Sequence, residues 1–156
     1  MPRPLPRSGP SRLSPGKILL MVLLCSWLAA CSENPDQARL LERLDTLEIA
    51  LQDKKPDAVL DLLTDNFSTG QGQTRDDVKR LLLVNFLRNQ TIGVIRTGTE
   101  VAMDDSYRDQ ASAHFQALVT GGEGLLPERG RQFRVESRWL FQDGDWFLDR
   151  LEWKPL

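Results

Sequence analysis

From residue 38 onward the apolar positions of this chain keep first a helical and then an alternating period, and the change marks its elements. Leu40, Leu44, Leu47 and Leu51 recur at helical spacing, with Leu41 beside them and charges on the other face. That spacing predicts an amphipathic helix from Ala38. Lys54-Lys55-Pro56 stops it and starts a second helix, with Pro56 or Asp57 in its first turn. Ala58, Val59, Leu60, Leu62 and Leu63 form the apolar side of that helix, and Asp65 to Thr69 reads as a short strand before a turn at Gly70-Gln71-Gly72. Thr74-Arg75-Asp76-Asp77 puts an acid three residues after a hydroxyl, the arrangement of a capping box. It opens a third helix through Val78, Leu81 to Val84, Phe86 and Leu87. Because that helix is apolar nearly all round, it is expected to be the most buried of the three.

After Asn89 the period falls to two. Thr91 to Met103 is rich in strand-forming residues, and Asp104-Asp105-Ser106 makes a turn. Ala111, Ala113, Phe115, Ala117 and Val119 then alternate with Ser112, His114 and Gln116, the mark of a half-buried strand. Gly121 to Gly130 is expected as a loop. Phe133, Val135, Ser137, Trp139 and Phe141 share one face of the next strand, and Asp143-Gly144 is a strong hairpin signal leading into a closing strand, Trp146 to Trp153. Three helices followed by an antiparallel meander predict an α+β domain, with the helices on one face of a curved sheet.

The first thirty residues follow a different rule. Arg3, Arg7, Arg12 and Lys17 precede thirteen apolar or small residues, Ile18 to Ala30, too few to span a bilayer as a helix of roughly 18 residues. Leu28-Ala29-Ala30-Cys31 resembles the lipobox of bacterial lipoproteins. The resemblance implies a signal peptide over 1–30, lipidation of Cys31, and a tether over 31–37 ahead of a domain spanning 38–156. Ser32 after the cysteine implies delivery to the periplasmic face of the outer membrane, so the membrane itself, reached through the lipid on Cys31, is the first expected partner. Two or three acyl chains hold firmly where one holds only marginally.

Loss of the leader changes the charge. Four of the 20 basic residues go with it and none of the 22 acidic ones, leaving a formal net charge of −6. That excludes a nucleic-acid binder built on clustered cations. Cys25 leaves as well, so with Cys31 lipidated the domain has no thiol for a disulfide. With His114 as the sole histidine, the usual His/Cys metal clusters are excluded, and no cofactor is expected. Gly121-Gly122-Glu123-Gly124 joins two strands rather than opening a helix, which is the wrong geometry for a phosphate loop.

Two helices, an Asp-Asn-Phe segment, a third helix and long strands ending in Asp143-Gly144-Asp145-Trp146 resemble the nuclear-transport-factor-2-like (SnoaL-like) superfamily over roughly residues 38–155. The resemblance implies a cone-shaped α+β barrel with a pocket between helices and sheet, and possible homodimers through the sheet. Ketosteroid isomerase and polyketide cyclases belong there, and such chemistry needs a desolvated base and a hydroxyl donor. The only tyrosine, Tyr107, sits in a charged turn, and alternation points His114 away from the core. Phe115, Trp139, Trp146 and Arg150 are the candidate pocket residues. The face of Arg150 stays open, because Trp146, Leu148 and Arg150 alternate with Phe147, Asp149 and Leu151, and both sets are mixed. The function expected is binding of a small apolar ligand or a protein partner without catalysis, with an isomerase, cyclase or hydrolase in the same pocket as the alternative. Replacing Cys31 with Ser is expected to release the protein from membranes or block its processing, which fractionation followed by immunoblotting reads directly.

Overall fold

The computed structural model describes residues 35–122 and 129–156. The expected leader, Cys31 and the first part of the tether lie outside the described residues, as does the middle of the glycine-containing loop. Helix α1, Pro35–Gln52, starts three residues before the periodicity begins, with Pro35 at its first position and Asp36 in its first turn. Helix α2 is a five-residue turn, Pro56–Leu60. Leu62 and Leu63 do not extend it. Leu62 lies in the turn that follows, and Leu63 opens the first strand, β1, Leu63–Thr69. Helix α3 covers Arg75–Arg88, and the strands β2 (Thr91–Met103), β3 (Gln110–Gly122), β4 (Arg129–Gln142) and β5 (Asp145–Pro155) follow.

The five strands form one sheet in the order β1-β5-β4-β3-β2. Strands β2 to β5 are the expected antiparallel meander, while β1 joins β5 in parallel and makes the sheet mixed. The Asp143-Gly144 turn holds both residues at positive φ (52° and 85°), which a two-residue hairpin requires and Gly144 accepts without strain.

Helix α1 crosses the concave face and is tied to the β4–β5 hairpin at several points. Arg39 and Arg43 donate to the carbonyls of Gly144 (3.3 Å) and Trp146 (2.9 Å), Arg43 also pairs with Asp145 at 3.3 Å, and the Trp146 indole donates to Asp36 O at 3.2 Å. Beneath it, Leu40 and Leu44 meet Trp139, Trp146, Leu148, Leu63 and Phe67 in one core. Two tryptophans fit there because β3 supplies small residues: Ala111 lies opposite Trp139, with Ala113 two pairs along on the same face. The Trp139 indole donates to Ser137 Oγ at 3.0 Å, and that hydroxyl donates to Ala113 O, so both of these buried groups are satisfied.

Helix α3 overturns the expectation drawn from its composition. Of its side chains only Phe86 is buried, and Leu83, Val84 and Leu87 are exposed, Leu87 to 87%. The helix lies on β1 and α2 with one face inward, and nothing among the described residues covers the other. Its ends are fixed instead. The Thr74 hydroxyl accepts from Asp77 N while Asp77 accepts from Thr74 N at 2.9 Å, and Lys54 Nζ donates to the carbonyls of Phe86 and Asn89 at 2.9 and 3.0 Å. Lys54 itself holds a positive φ of 56° as the left-handed residue ending α1.

Removing the fully buried Trp139 by Trp139→Ala should cost about 3–5 kcal/mol of stability in urea unfolding, whereas Leu87→Ala should change it by no more than about 0.5 kcal/mol.

Candidate functional site

The tryptophan core fills only one end of the concave face. At the other end the C-terminal half of α1, the inner face of α3 and the far ends of β2 to β5 stand apart around a cavity of about 830 Å³. Its walls are mostly apolar: Leu47 and Leu51 from α1, Leu82 and Phe86 from α3, and Val94, Phe115, Phe133, Leu151 and Trp153 from the sheet. The size and lining suit a small-molecule site.

A break in β5 sets which residues reach it. The register with β4 shifts between Arg138 and Trp139, because Trp139 pairs with Leu148 and Arg138 with Arg150, leaving Asp149 as the extra residue of a bulge. Alternation therefore changes parity there. Trp146 and Leu148 face inward before the bulge, and Leu151 and Trp153 line the cavity after it. Asp149 is buried, taking Thr64 Oγ1 at 3.1 Å on one oxygen and Arg138 Nε at 3.0 Å on the other.

Of the four pocket candidates, Phe115 lines the cavity. Trp139 and Trp146 stand in the solid core and are not among its lining residues. Arg150 lies outside as well, with Nε donating to Glu152 at 2.8 Å. His114 is exposed on the opposite face of the sheet, paired across strands with Glu100 and Glu136.

Among the described residues, the charged ones that line the cavity are Glu48, Arg88, Arg96 and Arg131. Arg96 comes from the inner face of β2 beside its own bulge, between Thr97 and Glu100. Its side chain, 12% exposed, reaches under α1 to Asp45 and to Glu48 (3.5 Å) and lies over the Phe115 ring at 5.9 Å. This knot closes the cavity between α1 and β2 and holds Glu48, the one lining carboxylate among the described residues, on a cation. Arg88 and Arg131 are exposed, and neither pairs with a carboxylate among the described residues. Neither was visible in the hydrophobic pattern, since one ends a helix and the other follows a glycine loop.

Two carboxylates are held below their ordinary range, and both lie outside this lining. Asp77 is lowered by the backbone N–H of Thr74, then by the Thr74 hydroxyl and Arg80. Glu152 is lowered by the hydrogen bond and charge of Arg150. A depressed value stabilises the fold above the unfolded carboxylate range and loses that stabilisation as pH falls through the folded value, so acid loosens the first turn of α3. No group of three metal-ligating side chains occurs among the described residues, and no helix among them is long and apolar enough to cross a membrane.

No protein-family model and no curated protein sequence matches the chain. Solved structures do match. The chain is similar to a candidate dehydratase of the NTF2-like family from Streptomyces avermitilis, with a TM-score of 0.67 and 16% identity over 79% of this chain and 99% of that one. It is similar to the hexachlorocyclohexane dehydrochlorinase LinA-type3 from Novosphingobium barchaimii, with a TM-score of 0.61 and 13% identity over 76% and 85%. It also matches Bd1075 of Bdellovibrio bacteriovorus, with a TM-score of 0.67 and 10% identity over 77% of this chain and 41% of that one, so the chain spans less than half of that protein. At such identities the likeness carries the fold, an NTF2-like cone, and none of the chemistry.

Arg96→Ala strips Asp45 and Glu48 of their common partner and should cost about 1–3 kcal/mol in urea unfolding, whereas Asp45→Asn, at an exposed carboxylate, should cost under about 1 kcal/mol.

Proposed function

We propose that this protein is a lipid-anchored binding protein of the periplasmic face of the outer membrane, holding a small apolar ligand in the cone without transforming it. The observation that carries the binding half is the cavity: a largely apolar, half-open space of about 830 Å³ within an otherwise packed domain. Filling it with side chains would add stability, since each buried CH₂ contributes about 0.8 kcal/mol. The Leu28-Ala29-Ala30-Cys31 pattern supports the anchor.

The lining supports binding over catalysis. Proton transfer needs a base free to approach the substrate. Glu48, the only acid among the described lining residues, faces Arg96, and no histidine or tyrosine is among them. The second reading, an eliminating or isomerising enzyme in the same cavity, draws on the dehydrochlorinase and the candidate dehydratase among the similar structures. It would have to recruit Glu48 as base after its release from Arg96. A homodimer through the outer sheet face is compatible with both. Leu118, Leu140 and Phe147 are half-buried there among charged neighbours.

Mass spectrometry of small molecules retained by the purified protein should find an apolar ligand in the native chain. It should find none in a folded Ala117→Trp variant, whose indole occupies the cavity beside Phe115 and Phe133. Retention by both forms would refute the cavity as the binding site. Turnover of retained compound that is abolished by Glu48→Gln would establish the enzyme instead.

A further inference from the structure

The lining charges of the cavity are unevenly spent. Arg96 and Glu48 face each other on the α1 side. Arg88 and Arg131 are left among the described lining residues, and the fold brings both toward the end of β3. Arg88 ends α3, and the next residue, Asn89, packs so closely on β3 that a Cβ on Gly121 would lie 2.7 Å from its Oδ1. Gln90 N then donates to Gly122 O at 2.9 Å, which fastens the end of α3 to the end of β3. Arg131 stands on β4 opposite Val119, three residues before Gly122 and on the face that lines the cavity. Lys54 meanwhile neutralises the carbonyls at the end of α3, so the helix terminus does not repel an anion approaching Arg88.

An apolar chamber behind two exposed guanidinium groups that pair with no carboxylate among the described residues matches one kind of molecule. We propose that the ligand is a single-chain anionic amphiphile, its tail among Phe86, Phe115, Phe133 and Leu151 and its terminal anion between Arg88 and Arg131. This deepens the binding reading above and rests on it. The planar guanidinium fork suits carboxylate and phosphate alike. A fatty acid and a phosphate-bearing lipid fragment therefore share the recognising chemistry. The formal −6 charge of residues 31–156 adds weight, since two arginines at one end of the cavity, with no carboxylate partner among the described residues, run against the overall balance.

Titration calorimetry on the full-length chain carrying Cys31→Ser, kept below micelle-forming concentrations, tests this with decanoate, decyl phosphate, decanol and decyltrimethylammonium. One of the two anions should bind at least about fivefold tighter than decanol, and the cation should bind weakest. Whichever anion leads tells a fatty acid from a phosphate head. Lengthening the chain by one CH₂ should tighten binding about fourfold until the chamber is filled. Arg88→Glu with Arg131→Glu should bring the preference for anion over alcohol to about one, and Arg88→Lys with Arg131→Lys should retain most of it. Equal binding of decanol and both anions, or a preference untouched by the charge reversal, overturns the anionic class and leaves the apolar cavity reading standing. Failure of every decyl probe to bind overturns that reading together with this one.

Discussion

Trp139 and Trp146 pack against Leu40, Leu44 and Leu148 at one end of the concave face, and the alanines of β3 are what let them enter. Large side chains set against small ones make that end solid, and interiors packed to crystal density resist further collapse. The sheet and α1 are thereby held at a fixed separation. Toward the other end the separation persists, but the side chains reaching across it do not meet, and the space between them remains. The hollow is a consequence of how the solid half is packed. It could be closed only by moving α1, which the contacts of Arg39, Arg43 and Trp146 with the hairpin and with Asp36 oppose.

Much of this was legible in the chain. The leucine spacing of α1, the capping box at Thr74, the alternation of β3 and β4 and the Asp143-Gly144 turn each point to the element that forms, because each depends on local geometry alone. The parallel pairing of β1 with β5 was not legible, since it joins residues more than eighty positions apart. The pocket was legible in kind and only partly in its residues. Phe115 lines it, while Trp139 and Trp146 obey the same inward alternation yet lie at the filled end. Periodicity assigns a face and says nothing about position along the cone. Arg150 was undecidable for a sharper reason: the bulge at Asp149 inverts the alternation within β5, and no residue type announces it.

Helix α3 shows what composition alone misses. An all-round apolar helix is buried when neighbours exist on every side, and here the chain supplies them on one side only. With few packing partners its placement depends on its ends: the Thr74–Asp77 box at the start, and Lys54 with the Asn89–Gly121 contact at the finish. A roof fastened at its ends and lightly packed along its length opens locally at lower cost than the core does. Since α3 provides one wall of the cavity, a lightly packed element borders the space proposed for the ligand.

That coupling bears on the choice between binding and catalysis. An enzyme gains from a rigid wall that holds a base within reach of its substrate, because small misplacements are costly in rate. A carrier gains from a wall that yields on entry and closes on an apolar tail, with affinity drawn from buried surface rather than from placed groups. Here the strongly held charge, Arg96 with Asp45 and Glu48, secures the α1 side of the chamber, while the arginines with no carboxylate partner among the described residues stand at the rim. Placed polar groups at the seam and the rim, with few in the interior, are the arrangement that the carrier reading requires.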